Sequence, residues 1–483
     1  HLYLSTPELL GGVRAIDVRF SDREIANALR RLTERGEAVL DRETRPGTIA
    51  VYDPWSFRIE GESAKRLLAR AETARIAENR ARAYVRAILG EESDAPLGDT
   101  VRATLDRFRS SGGVTLSDLQ RDAVLNAFLE PVSVITGLPG TGKTTCLRMA
   151  VRLLQEAGIP ILLVAPTGIA AKRVSSVTGA PASTIHRAFG AKGLGDSEGR
   201  EATYTGVVSG GAGPSLGDGG DGEDEVWAFG EDSRHPAEVV IVDEASMVDQ
   251  HVLYRLMKCT REDARLVFVG DAAQLPSVGP GNVLKDLIES RRFPTVSLTE
   301  IFRQAETSPI IRAAHDIYRG IAPENFCEEF LLLPNNSSES ALEVILGLAR
   351  KLYDRRENFQ ILSPRHAGVV GVTNLNARLR ELLNPTQPGL AEIALGGEVL
   401  REDDRVMVAK NDYKLGLFNG DVGKVVRIDR KKKEIEIKIH GPPAIQVLIP
   451  FRSAPALLRM AYAITVHKSQ GMTLDKVEVH LGK

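Results

Sequence analysis

From about residue 113 onward, short apolar runs rich in β-branched residues alternate with segments whose apolar positions recur at helical spacing. The runs at Val132–Thr136, Ile161–Ala165, Val239–Val242 and Leu266–Val269 are predicted strands. The segment Cys146–Ala157, after the first run, reads as a helix. Strands separated by helices predict an α/β fold with a parallel sheet, whose ligand chemistry sits at the C-terminal ends of the strands. Four segments fall at such ends: Gly137–Thr145, Pro166-Thr167, Asp243-Glu244 and Gly270-Asp271.

Before this alternation, residues 1–112 read as a separate, mainly helical, winged-helix-like region. Ser21-Asp22-Arg23-Glu24 is a capping box, and Ile25, Leu29 and Leu32 then share one helical face up to Gly36. Extended runs at Glu37–Leu40 and Thr48–Tyr52 flank the turn-like Arg45-Pro46-Gly47. Glu62–Leu89, helical and carrying both charge signs, reads as a solvated connecting helix. Residues 113–297 form the expected first α/β domain, interrupted at 191–236 by a Gly-rich acidic tract. There the β-forming flanks Ala202–Val208 and Glu225–Phe229 suggest a hairpin with a flexible tip, and a plain disordered loop is the equal alternative.

A second α/β domain is expected over 298–483, with a strand at Phe359–Leu362 and a helix at Val372–Leu383. Between 404 and 455 the pattern turns to closely spaced strands: Arg405–Val408, Val422–Ile428, Glu434–Ile439 and Gln446–Ile449. With turns at Asn419-Gly420-Asp421 and Asp429–Lys433, these predict a small inserted β-barrel.

Composition narrows the class without naming it. The 483 residues are too many for one core, and 43% hydrophobic with 26% charged content is ordinary for a globular chain. No apolar run approaches the roughly 18 residues that a membrane span needs. Cys146, Cys259 and Cys327 lack pairing or metal spacing, which points to a reducing cytoplasm. The net charge of −2 does not by itself suggest a nucleic-acid partner, although a basic channel can coexist with acidic surfaces. The chain starts at His1 and so reads as part of a longer protein.

The segment Gly137-Leu138-Pro139-Gly140-Thr141-Gly142-Lys143-Thr144-Thr145 carries the sharpest chemistry. It fits G-x-x-x-x-G-K-[ST] between a strand and a helix, the spacing that cradles a triphosphate. Glycines let backbone N–H groups converge on a phosphate, and the helix N-terminus adds partial positive charge. Lys143 reaches the outer phosphates and Thr144 ligates Mg²⁺, so ATP and Mg²⁺ are the expected cofactors. Asp243 after its strand would complete the Mg²⁺ shell, and Glu244 would orient and deprotonate a water. An acidic pair at a helix start is the bland alternative. Gln274, on the same edge, is placed to hydrogen-bond a γ-phosphate. Gln120 has two readings: it can read an adenine edge, or it can close the capping box Ser117-Asp118-Leu119-Gln120. Arg303 stands at the start of the second block, where a guanidinium can neutralise charge developing on the γ-phosphate.

In order and spacing these segments resemble superfamily 1 helicases of the 5′→3′ type, closest to the RecD/TraA-like DNA helicases. The matching stretches are LSDLQRDAV (116–124), GLPGTGKTT (137–145), APTGIAAKRV (165–174), STIHRAFG (183–190), VDEASMVD (242–249), GDAAQLPSVGPGNVL (270–284), LTEIFRQ (298–304) and AYAITVHKSQGMTLD (461–475). The stretch 411–423 also resembles that family's second-domain insert. The resemblance implies two RecA-like phosphate-loop domains, DNA as partner and 5′→3′ directionality. It places Thr167, Lys172 and His186 of the first domain, and Thr465, His467, Lys468, Ser469 and Gln470 of the second, against single-stranded DNA. Hydroxyls, amides and cations suit contacts to phosphates that read no sequence. Relatives carry a strand-separating pin where 191–236 lies, although its acidity opposes a DNA-contacting tip. The family's final motif, with its arginine, is expected just beyond Lys483.

The combined expectation is an ATP-dependent DNA helicase or translocase acting on single strands and duplex junctions in repair, recombination or replication. The residues leave open an RNA-directed helicase and a nucleotide-gated loading module that never unwinds. Nuclease or repair partners are not specified.

Overall fold

The computed structural model describes residues 3–16, 21–45, 48–72, 116–190, 192–193, 225–300, 308–324, 326–395, 398–412, 414–440, 444–472, 474 and 476–479. Two compact units account for the chain. The first comprises His1–Pro166 and Val174–Asn325, the second Thr167–Arg173 and Phe326–Lys483.

The first unit opens with β1 (Tyr3–Ser5), α1 (Thr6–Ile16), α2 (Asp22–Glu34), β2 (Val39–Arg45), β3 (Thr48–Tyr52) and α3 (Pro54–Glu72). The predicted capping box holds α2: Ser21 Oγ accepts from the Glu24 N–H, and the Glu24 carboxylate accepts from the Ser21 N–H. The strands form an antiparallel sheet in the order β1-β3-β2 beside these three helices. The turn residues Pro46 and Gly47 lie outside the described residues. So does 73–89 of the expected connecting helix.

The described part of that helix, α3, is docked rather than solvated. Ile59 and Leu67 are buried, and Arg70 donates to the carbonyls of Thr260, Arg261 and Glu262 and to the Thr260 hydroxyl. Burial, reinforced by the nearby Arg234 and Arg66 charges, pulls the Arg70 guanidinium down to about 10.

The alternating part then runs α4 (Asp118–Leu129), β4 (Val132–Gly137), α5 (Lys143–Glu156), β5 (Ile161–Ala165), α6 (Gly168–Thr178), β6 (Ala182–Thr184), α7 (Ile185–Ala188), β7 (Lys192–Gly193), β8 (Glu225–Val226), β9 (Val239–Val242), α8 (Gln250–Cys259), β10 (Arg265–Gly270), α9 (Val283–Ser290), β11 (Thr295–Leu298) and α10 (Pro309–Tyr318). Six strands make one parallel sheet in the order β11-β4-β10-β9-β5-β6. Its central strands are mostly apolar because each face is covered by its own core. Ile135, Val239, Ile241, Val267 and Val269 enter the core shared with α4 and α5. Val134, Val240, Val242, Leu266 and Phe268 enter the one shared with α8 and α9. Within the acidic tract residues 192–193 and 225–236 are described, and β7 and β8 pair antiparallel. Ala202–Val208 and the expected tip lie outside the described residues.

The second unit contains α11 (Ser338–Asp354), β12 (Gln360–Ser363), α12 (Val372–Leu383), β13 (Glu392–Leu395), β14 (Glu398–Arg401), β15 (Arg405–Val408), β16 (Val422–Asp429), β17 (Glu434–Ile439), β18 (Ile445–Pro450), α13 (Ala454–Leu457), β19 (Leu458–Met460), β20 (Ala463–Thr465) and β21 (Val477–Val479). A parallel sheet β20-β12-β21 packs on α11 and α12. The strands predicted to form a β-barrel instead make a five-stranded antiparallel sheet, β18-β17-β16-β15-β19, with no pairing of its outer strands among the described residues. Alternation of buried and exposed positions along β16 and β17 is what a one-sided sheet produces. The turn after β16 closes as expected, with Asp429 Oδ1 accepting from the N–H groups of Lys431 and Lys432.

Candidate nucleotide site and nucleic-acid face

The phosphate loop leaves β4 at Gly137 and enters α5 at Lys143. Gly140 and Gly142 have φ of 81° and 88°, left-handed values that a side chain would resist. Gly137 answers a different constraint: a Cβ there would stand 2.6 Å from Thr141 Oγ1 and 2.8 Å from the Leu298 carbonyl oxygen. The neighbouring strand β11 therefore approaches too closely for any other residue. Thr141 Oγ1 donates to the Leu138 carbonyl at 2.8 Å, and Lys143 Nζ donates to the carbonyls of Gly137 and Leu138. The ammonium is thus folded back over its own loop. Thr144 and Thr145 are half-buried in the first turn of α5, beside N–H groups that have no intrahelical acceptor.

Parallel register brings the other candidates to the same edge. Gly270 pairs with Thr136, and Asp271 follows it with 2% exposure and a carboxylate 3.9 Å from Lys143 Nζ. Asp271 also accepts from the Ala273 and Gln274 N–H groups, which fixes the half-buried Gln274 just beyond β10. Asp243 follows β9, its N–H donating to the Val164 carbonyl at 2.9 Å. Glu244 is buried and sits at φ 51° and ψ 42°, a left-handed conformation that a non-glycine residue adopts at a cost of roughly 1–3 kcal/mol.

Gln120 closes the predicted capping box. Its side-chain oxygen accepts from the Ser117 N–H at 3.1 Å, closing the capping box of α4, and its Nε2 lies 3.5 Å from the Thr141 carbonyl. The residue is 2% exposed, so the cap also tethers α4 to the loop. Arg303 lies outside the described residues. His315 was not legible as a candidate: α10 carries it to within 3.3 Å of the Pro139 carbonyl, where it is 4% exposed.

The residues assigned to DNA are held in two places. His186, in α7, lies half-buried with its ring 5.4 Å from that of Trp227, over which the Arg255 guanidinium sits at 5.9 Å. In the second unit, Thr167 Oγ1 caps the start of α6 by accepting from the Ala170 N–H. Lys172 Nζ donates to both carboxylate oxygens of Asp421, at 2.9 and 2.7 Å, and lies 4.3 Å from the Phe418 ring centre. Its charge is therefore matched by a carboxylate and an aromatic face. Thr465 ends β20 and accepts from the Lys468 N–H at 3.3 Å, while Ser469 Oγ donates to the Val466 carbonyl. His467 and Lys468 are exposed on this short turn, with Gln470 half-buried beside them.

Two family profiles match the chain: an AAA domain over residues 115–329 and an ATP-dependent RecD-like DNA helicase SH3 domain over 375–439. The ATP-dependent RecD2 DNA helicase of Deinococcus radiodurans is 31% identical over 345 residues, covering 70% of this chain and 41% of the relative. The RecBCD enzyme subunit RecD of Mycobacterium tuberculosis is 30% identical over 405 residues, covering 75% of this chain and 64% of the relative. By its SH3 profile and by these relatives the chain is RecD-like. It spans roughly two-fifths to two-thirds of the length of these relatives. A solved structure of Bacteroides Pif1 bound to single-stranded DNA aligns over 76% of the chain at 20% identity and a TM-score of 0.45.

In this RecD-like chain, sequence reasoning put Asp271 on the phosphate-loop edge without giving it a role, and it missed His315. Asp271 had a signal, its place directly after a β-strand on the phosphate-loop edge. His315 had none, because its partner is 176 residues away.

Proposed function

We propose that this chain is the motor portion of an ATP-dependent DNA helicase that moves 5′→3′ along single-stranded DNA. The observation that carries the reading is the convergence of the phosphate loop, Asp243-Glu244 and Asp271-Gln274 on one edge of a six-stranded parallel sheet. ATP would lie with its phosphates over the Gly140–Lys143 backbone, where the α5 N-terminus favours negative charge. Lys143 would exchange its carbonyl contacts for phosphate oxygens, and Asp271 would hold the ammonium near them. Thr144 and Asp243 supply a hydroxyl and a carboxylate, oxygen donors that suit Mg²⁺ shared with phosphates. Bound Mg²⁺ would neutralise charge on the transferring group. Glu244 would orient the attacking water and accept its proton, with Gln274 reporting the γ-phosphate and Arg303 neutralising charge on it.

In the same reading, 113–297 and 298–483 are two RecA-like motor domains. The five-stranded antiparallel sheet within this second domain would be its SH3-like module, a reading supported by the RecD-like SH3 profile over 375–439. Thr167, Lys172 and His186 together with Thr465, His467, Lys468, Ser469 and Gln470 would hold single-stranded DNA and its duplex junctions.

The reading is tested in the full-length protein by ATP turnover with and without single-stranded DNA. Lys143→Ala is expected to lower DNA-stimulated turnover by about a hundred-fold or more, since it removes charge stabilisation of the phosphoryl group. Glu244→Gln is expected to keep nucleotide binding while losing turnover to a similar extent. Turnover near the unmodified level in either variant overturns the proposal. A 5′-tailed duplex unwound in preference to a 3′-tailed one checks the direction, and stimulation by RNA in place of DNA would redirect the substrate.

A further inference from the structure

We infer that His315 is a positioning residue that sets the phosphate loop for triphosphate binding by gripping the Pro139 carbonyl. This rests on the reading of the loop as the nucleotide site. His315 Nε2 lies 3.3 Å from that oxygen, and the side chain is buried on α10, which otherwise buries Ala313. A carbonyl oxygen can only accept, so Nε2 carries the proton and donates.

The consequence follows from peptide geometry. A trans peptide is planar, and its C=O and N–H point in opposite directions. Holding the Pro139 oxygen toward α10 therefore turns the Gly140 N–H away from α10. Gly140 is the residue at which the loop first goes left-handed, with φ 81°. Left-handed glycines alternating with ordinary residues line up successive N–H groups into an anion-binding concavity. Pro139 cannot contribute an N–H of its own, so the Gly140 N–H is the first donor available after Leu138. Without the grip, the Pro139–Gly140 peptide plane is free to rotate, because glycine tolerates either orientation. His315 thus acts through the loop backbone rather than by touching nucleotide.

The remaining hydrogen bonds of the loop do not substitute for it. Thr141 Oγ1 and Lys143 Nζ act on the carbonyls of Leu138 and Gly137, and Gln120 Nε2 approaches the Thr141 carbonyl. The Leu138–Pro139 and Thr141–Gly142 peptide planes thus have contacts of their own, and His315 supplies that of Pro139–Gly140.

The test measures binding of a fluorescent ADP analogue to the full-length protein, alongside thermal melting without nucleotide. His315→Leu keeps the bulk and removes the donor. It is expected to weaken ADP binding about three- to ten-fold, the net worth of one buried hydrogen bond. His315→Gln places an amide N–H where Nε2 stood and is expected to bind within about two-fold of the unmodified protein. Equal affinity in all three proteins overturns the proposal. So does an equal loss in Leu and Gln variants, which would show packing rather than donation at work. Unmodified protein that fails to bind ADP, with Lys143→Ala no different, would instead sink the nucleotide reading itself.

Discussion

His235 shows how a single buried side chain couples this fold to pH. It is 3% exposed, packed against the rings of Phe189 and Phe229, and its Nδ1 accepts from the Ala237 N–H at 3.1 Å. Burial lowers its pKa from 6.5 to about 4. The depressed value means that the unfolded chain takes up the proton first as pH falls. The stabilisation from the neutral ring is complete above about pH 6.5 and is lost progressively between about 6.5 and 4, to a total on the order of 3 kcal/mol. His235→Asn retains an acceptor for Ala237 but does not titrate. The drop in melting temperature between pH 7.5 and pH 5 is therefore expected to shrink in that variant. The thiols behave in the opposite way: burial pushes Cys146 and Cys259 up to about 12, which leaves them inert near neutral pH.

At the scale of elements, the second unit is tied together by one fully buried carboxylate. Asp404, just before β15, accepts from Tyr462 Oη at 2.9 Å, Asn384 Nδ2 at 2.8 Å and the Arg401 N–H at 2.8 Å. It thereby joins the end of α12, β14 and the approach to β20. Burial raises its pKa, and the three donors oppose that rise. Tyr462→Phe removes one donor without changing shape, and a loss of about 1–3 kcal/mol is expected in chemical denaturation. A change below a few tenths of that would show that the remaining donors suffice. Among these partners Asp404 borders a predicted strand, and Tyr462 lies in the stretch 461–475 that carries the family resemblance. Asn384 looked like an ordinary helix end, because nothing local records which carboxylate it will meet. The same limit explains the barrel: spacing identified β15 to β18, but closure depends on pairing between outer strands that sequence does not encode.

For the whole molecule, a net charge of −2 means that any hold on DNA must come from local cations rather than from an overall field. Lys468 is exposed on the turn after β20, whereas the Lys172 ammonium is engaged by Asp421. Lys468→Ala is therefore expected to weaken single-stranded DNA binding and to reduce the slope of log affinity against log salt by about one. An unchanged slope would mean that Lys468 neutralises no phosphate. No helix among the described residues is long and apolar enough to cross a membrane.

The sequence alone determined the parallel α/β core, the phosphate loop and the edge on which Asp243, Glu244 and Gln274 gather. Strand periodicity, glycine placement and motif spacing are local properties, and each survives reading one residue after another. Only the tertiary structure decided that His315 reaches Pro139, that Asp271 faces Lys143, that Asp421 takes Lys172, and that Arg70 docks α3 instead of leaving it in solvent. Those choices follow from the burial of polar groups. A buried donor or acceptor must find a partner, and which partner is within reach is settled by packing across tens to hundreds of residues.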